Sequence, residues 1–284
     1  MNPGLPYDLP NFGLSENYHP RRFAALWQHP IPQWRHRLAE AIEKGLGNQA
    51  PRIFFRADDI GAGGRPFEAL CRLFRSFEIP LAMAVVPAWI TGIRVKQLFK
   101  LAPLEEPFWG WHQHGWCHVN WQRSGKSSEF GEERPFEKQF SDISQGRRKL
   151  QDIFGEHLVD VFTPPWNRLS LTTMKILEEL NFKAVSMAAG FPRGYKNPDG
   201  IKNLRIQLDL HTRKSRDGIS DFGVLLDDLA ALLGRREPIG IMIHHQRMTY
   251  FAFEFLQELL TRLQTQAEAR FSTFRELIDG DNEE

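Results

Sequence analysis

The sequence predicts an α/β barrel. Two observations predict it: from Arg52 onward, short β-rich apolar runs alternate with amphipathic helical patterns, and ionisable residues gather where those runs end. Such alternation builds a parallel sheet with helices outside it, and the reactive groups of a barrel sit where strands give way to loops. The 284 residues suffice for one domain of this kind, and 42% hydrophobic with 25% charged residues describes a globular chain, not a disordered or fibrous one.

Taken in order, residues 1–50 read as an appendage packed on the barrel. A Pro-, Asn- and Gly-rich arm leads into a helix over Gln33–Lys44, where Trp34, Leu38, Ala41 and Ile42 recur at helical spacing. The barrel occupies residues 51–280. Strands are expected at Arg52–Ala57, Leu81–Val86, Phe108–Trp111, Val159–Phe162, Ala184–Met187, Leu204–Leu208 and Ile239–Ile243, with a short one near Arg270–Ser272. Helices are expected at Pro66–Phe77, Val95–Leu101, Phe136–Phe154, Leu171–Leu180, Val224–Leu233, Phe253–Gln266 and Phe274–Ile278, followed by a frayed Gly280–Glu284.

Composition excludes several functions. A formal charge of +1, with Lys and Arg scattered among acids, leaves no electrostatic footprint for nucleic acid or an anionic membrane. Cys71 and Cys117 are too few for a disulfide framework and fit a reducing compartment. The start has no basic segment followed by an apolar one, and the most apolar run, Ile79 to Ile90, is broken by Pro80 and Pro87. A cytoplasmic protein with neither a nucleic-acid nor a membrane partner is expected.

The strand ends carry the chemistry. Asp58 and Asp59 end the first run, and period-two alternation turns adjacent carboxylates to opposite sides, one toward a metal and the other toward substrate or a buried cation. In Trp111-His112-Gln113-His114-Gly115-Trp116-Cys117-His118, His114 and His118 can face one ion if the chain makes a helical turn. Two imidazoles and one carboxylate leave coordination positions open, as metal-assisted hydrolysis requires; Cys117 is not expected to ligate. In Thr163-Pro164-Pro165-Trp166-Asn167-Arg168 the prolines stiffen the backbone and aim the Trp166 N–H, a candidate oxyanion donor. His244 ends the run Ile239–Ile243 as a candidate general acid, while His245 points away. Trp109, Trp111, Trp116 and Trp121 crowd the metal motif, and with Trp166 they suggest a stacking floor for sugar.

This series resembles the polysaccharide deacetylases of the NodB-homology type, carbohydrate esterase family four. A strand-end Asp-Asp, His-x3-His, a Pro-containing loop and a late strand ending in His follow in the family's order, here Asp58-Asp59, His114 to His118, Thr163 to Asn167 and Met242-Ile243-His244. The resemblance spans Arg52 to Ile278. It implies a distorted (β/α)7 barrel in which Asp58 is the general base, Asp59, His114 and His118 hold a divalent metal, zinc foremost, the Trp166 N–H helps bind the oxyanion and His244 is the general acid. Trp116, Pro165, Asn167 and Asp209 are placed with the substrate, Asp209 also being a candidate to orient the acid histidine. One position departs: the family's loop begins with an Arg that pairs with the base, and here Thr163 stands there. Either Arg56 or Arg168 supplies the cation, or the site works without it.

The expected reaction is removal of an N-acetyl group from an amino sugar or an oligo- or polysaccharide. Hydrolysis of a cyclic amide or ureide is the alternative within the same fold, and a non-catalytic carbohydrate-binding protein is the alternative outside enzymology.

Overall fold

The computed structural model describes residues 13–196 and 200–280. The first part of the arm, residues 1–12, and the last four residues lie outside them. In chain order the elements are α1 (Trp34–Gly45), β1 (Arg52–Ile60), α2 (Arg65–Ser76), β2 (Leu81–Val85), α3 (Gly92–Leu101), β3 (Trp109–His114), α4 (Phe136–Phe154), β4 (Leu158–Thr163), α5 (Leu171–Glu179), β5 (Ala184–Val185), β6 (Lys202–Asn203), β7 (Ile206–Asp209), α6 (Gly218–Leu233), β8 (Ile239–Ile243), α7 (Tyr250–Thr265), β9 (Arg270–Phe271) and α8 (Phe274–Asp279).

All strands pair in parallel, in the order β6-β5-β4-β3-β2-β1-β8-β7, with β9 added to the start of β1. β6 and β7 sit at opposite edges of this path yet are separated only by Leu204 and Arg205. The sheet therefore curls until its edges meet, and closes without a ladder between them. That is the α/β architecture and the distorted barrel expected: seven main strands joined by helices, except between β5 and β7, with β6 paired beside β5 at the seam.

The strands are buried on both faces and read accordingly as continuous apolar runs, β2 and β8 entirely so. Phe55, Met83, Trp111 and Ile241 belong to the main core. The arm is part of that core. Trp27 is fully buried, donates from Nε1 to the Leu210 carbonyl at 2.7 Å and accepts from the Thr249 hydroxyl at 2.7 Å. α1 buries Trp34, Leu38 and Ile42, and a Cβ at Gly45 would collide with the backbone at Ala230, so glycine permits α1 to lie against α6.

Three of the boundaries that differ from expectation have a plain physical reason. β1 runs on to Ile60 because a bulge between Ala57 and Ile60 keeps it paired to β2. The expected strand Leu204–Leu208 starts two residues later, at Ile206, because Leu204 and Arg205 carry the chain from β6 on one edge to β7 on the other. α6 starts six residues earlier than Val224, at Gly218, because the Asp217 side chain caps the N–H groups of Ile219 and Ser220 and outweighs the helix-weakening Gly and Ser. Among the described residues no helix is long and apolar enough to cross a membrane.

Candidate metal centre and catalytic cleft

Every ionisable group in the cleft comes from the C-terminal end of a strand. Asp58 and Asp59 end β1, His114 ends β3, His118 follows it, Trp166 and Asn167 follow β4, and His244 follows β8. Together with Thr212, Arg213, Lys214, Arg168, Met242 and Arg247 they line a cleft of about 370 Å³.

The two aspartates do not diverge as alternation predicts. Asp59 sits in the bulge at φ +62°, a left-handed conformation, and its carbonyl is held by the Gln246 amide at 2.7 Å. That twist breaks the two-residue period and brings both carboxylates to one cleft.

Asp58 faces Arg56, its neighbour two positions back on the same strand face. The pair is bidentate, Nε to Oδ1 at 2.7 Å and Nη2 to Oδ2 at 2.9 Å, and both side chains are buried. Arg56 also donates to the Ser186 carbonyl and hydroxyl, each at 2.8 Å, and to Asn167 Oδ1 at 3.0 Å. Burial works to raise the Asp58 pKa; the Arg56 charge, then those of His114 and His244, overcome it and hold the carboxylate below its ordinary value. Of the two arginines considered from sequence, it is therefore Arg56, and not Arg168, that meets this carboxylate.

Thr163 has a different task. Its carbonyl accepts from His114 Nδ1 at 2.9 Å, which leaves Nε2 free for a metal. Its hydroxyl lies 2.9 Å from His112 Nε2. Burial pushes His112 down to about 3, and since Nδ1 faces the Gly110 carbonyl, the neutral ring accepts the Thr163 proton at Nε2.

Asp59, His114 and His118 converge. Asp59 Oδ1 is 3.3 Å from Nε2 of each imidazole, the three donors lie within 4.8 Å of one another, and Asp59 Oδ1 and His114 Nε2 are buried without a hydrogen-bond partner. One carboxylate and two imidazoles with orphaned lone pairs aimed at a common point fit a divalent cation with open positions. Burial tends to raise the Asp59 pKa, but its contact with His114 and the charges of His114, His244 and His118 keep it ionised.

The loop from His114 to His118 is not the helical turn expected. Gly115 and His118 both take positive φ, +55° and +58°, and the buried carboxylate of Glu129 accepts the N–H groups of Trp116, Cys117 and His118 at 3.2, 2.8 and 3.2 Å. A Cβ on Gly115 would collide with Glu129 and with Pro165. The Cys117 thiol also donates to Glu129, and burial with that carboxylate pushes it up to about 12, so it is an unreactive thiol as anticipated. His118 packs against the Trp166 ring at 4.4 Å and the Trp89 ring at 5.9 Å.

In the loop after β4, Trp166 and Asn167 are both left-handed, φ +57° and +55°. Its turn bonds run from the Asn167 N–H to Pro164 and from the Arg168 N–H to Pro165, so the Trp166 N–H is not one of their donors. His244 lines the cleft, and its own N–H donates to His211 Nδ1 at 3.2 Å. His245 turns away and is buried against Phe67.

Of the four expected substrate contacts, Asn167 lines the cleft, and Asp209, Pro165 and Trp116 are engaged elsewhere. Asp209 caps its own turn, accepting the N–H groups of His211 and Thr212 at 3.0 Å and the Thr212 hydroxyl, with no bond to the His244 ring. Pro165 is buried behind Gly115, and Asn167, though at the cleft, spends its carbonyl on Arg56. Trp116 lines a second cavity with Trp121 and Arg134. The tryptophan floor also dissolves: Trp111 is fully buried and stacked on Phe154, Trp109 is bonded to Glu106, and only Trp166 reaches the cleft. No local spacing links Glu129 or Trp89 to the motif, so the sequence does not point to them; the two-residue period between Arg56 and Asp58 is the signal that could have chosen Arg56 over Arg168.

No protein-family model matches the chain, and no curated protein matches its sequence. Solved structures do. A protein from Mycobacterium smegmatis assigned as a polysaccharide deacetylase superposes with TM-score 0.58 at 12% identity, covering 82% of this chain and 91% of its own. A family 4 acetyl xylan esterase from Clostridium thermocellum, in complex with cobalt, gives TM-score 0.51 at 12% identity, covering 80% and 91%. A family 4 pseudoenzyme from Bacillus anthracis gives 0.50 at 12%, covering 82% and 66%. The chain has the NodB-type deacetylase fold.

Proposed function

We propose that this protein is a metal-dependent hydrolase that removes an N-acetyl group from an amino sugar or an N-acetylated saccharide. The observation that carries the reading is the convergence of Asp59, His114 and His118 beside a second carboxylate, Asp58, held ionised by Arg56. A non-catalytic protein has no need for both sets.

A divalent cation held by Asp59, His114 and His118, with zinc the first candidate, would polarise the amide carbonyl and acidify the attacking water. Asp58 takes the proton from that water, and its bidentate bond to Arg56 fixes which lone pair faces the cleft. The Trp166 N–H stabilises the charge that develops on the carbonyl oxygen. His244 then protonates the departing amine nitrogen, so that acetate and a free amino sugar leave.

The test pairs metal content with acetate release from short N-acetylglucosamine oligomers. The wild-type protein is expected to carry close to one metal per chain and to release acetate. Asp59→Ala with His114→Ala is expected to lose both, while Asp58→Asn keeps the metal and loses turnover by a factor on the order of 10² or more. Full turnover in Asp58→Asn overturns the base; a ureide turned over while every acetylated sugar fails selects cyclic-amide hydrolysis instead.

A further inference from the structure

The walls of the cleft carry more positive charge than the reaction needs. Among the described residues no acidic one beyond Asp58 and Asp59 lines it, whereas Arg168, Arg213, Lys214 and Arg247 all do. Asp58 is matched by Arg56, and Asp59 is one of the converging metal donors. Arg213 is matched by Asp221 at 2.8 Å and Asp228 at 3.5 Å. Among the described residues the Arg168 side chain donates only to the Ser127 carbonyl, at 3.0 Å, and neither Lys214 nor Arg247 has a carboxylate partner. In a chain whose charges nearly balance, 36 basic against 35 acidic, three unmatched cations at one cleft are a concentrated field. They come from three loops, after β4, β7 and β8, so the fold assembles the patch from separate parts of the chain.

We propose that the substrate bears an anionic group, a carboxylate or a phosphate, close to its N-acetyl function, and that Arg168, Lys214 and Arg247 receive it. This deepens the deacetylase reading and rests on it for the acetyl group alone. Charge-assisted hydrogen bonds from guanidinium and ammonium groups are the strongest that exposed side chains make to such oxygens, and cleft walls of low dielectric concentrate the field that draws the ligand in.

Binding and turnover are measured separately. Calorimetry on zinc-loaded Asp58→Asn protein at low ionic strength compares N-acetylglucosamine with N-acetylglucosamine 6-phosphate and N-acetylmuramic acid, the last two separating a phosphate from a carboxylate source. At least one acidic sugar is expected to bind about tenfold tighter or more, with the preference falling toward unity in 0.5 M salt as the charges are screened. Arg168→Glu with Lys214→Glu is expected to remove the preference, whereas Arg236→Glu, at the opposite end of β8, keeps it; circular dichroism confirms that each variant folds. A preference that survives the double charge reversal is metal ligation by the anion and overturns the proposal, as does equal binding of all three sugars. Acetate release by the wild type is read in parallel: a charge preference without acetate from any sugar sinks the deacetylase reading alone, and acetate from neutral and acidic sugars at equal rates sinks the anionic substrate alone.

Discussion

At the scale of single residues, the proposed base Asp58 and its cation Arg56 form a closed unit. Arg56 spends its donors on Asp58, Ser186 and Asn167, so the carboxylate is oriented as well as charged. As the proposed base, Asp58 must be ionised to act, and its pKa lies below the ordinary carboxylate value, so protonation of this group is expected to limit activity only at a pH below the ordinary carboxylate range. Arg56→Lys keeps one charge but loses the fork. The Asp58 pKa then rises toward its ordinary value, and the acid limb of the kcat/KM profile is expected to move to higher pH. An unmoved limb would show that Arg56 does not tune Asp58. Glu129 makes the matching case for the metal. Glu129→Gln gives up the charge that gathers the N–H groups of Trp116, Cys117 and His118, and metal affinity is expected to fall by about 10- to 100-fold in a metal-competition titration, with the far-ultraviolet spectrum unchanged.

At the scale of elements, loops owe their precision to the strand and helix ends on either side. The loop of Trp166 and Asn167 runs from β4 into α5, whose start is a capping box: Ser170 accepts the Thr173 N–H, and the Thr173 side chain reaches back to the Ser170 N–H. Ser170 is buried and its N–H also donates to the Phe130 carbonyl at 2.8 Å, one residue past the Glu129 that organises the metal loop. Ser170→Ala is expected to lower stability by about 1 kcal/mol in thermal melts. It is also expected to lower kcat more than metal content, because the cap anchors the loop of Trp166, the proposed oxyanion donor, and not the proposed metal ligands. Equal loss of both would assign the cap to the whole site.

At the scale of the whole molecule, buried histidines set the acid limit of the fold. Burial pushes His112 down to about 3 and His245 to about 4, and drives His211 well below its ordinary value. Each is neutral in the folded state and takes a proton on unfolding once the pH falls below about 6.5. The unfolded state then binds more protons, so stability falls with pH, by about 1.4 kcal/mol per pH unit for each histidine, until the folded-state pKa is reached. Denaturant unfolding at pH 7 and pH 5 is expected to show this slope, and His245→Phe to flatten it by about one third; a pH-independent midpoint would mean that these rings are charged in the fold. Much of this molecule was legible in its sequence. The α/β class, the order of strands and helices and the strand-end positions of Asp58, Asp59, His114, His118 and His244 all follow from local periodicity, which a chain carries along itself. What the sequence could not decide is what distant segments do to one another. The Gln246 amide that holds Asp59 in its bulge, the Glu129 carboxylate that shapes the His118 loop and the meeting of Arg168, Lys214 and Arg247 each join residues that local periodicity does not relate. Hydrogen bonds and charges act over a few ångströms of space, whatever the distance along the chain, so the tertiary structure alone decided them.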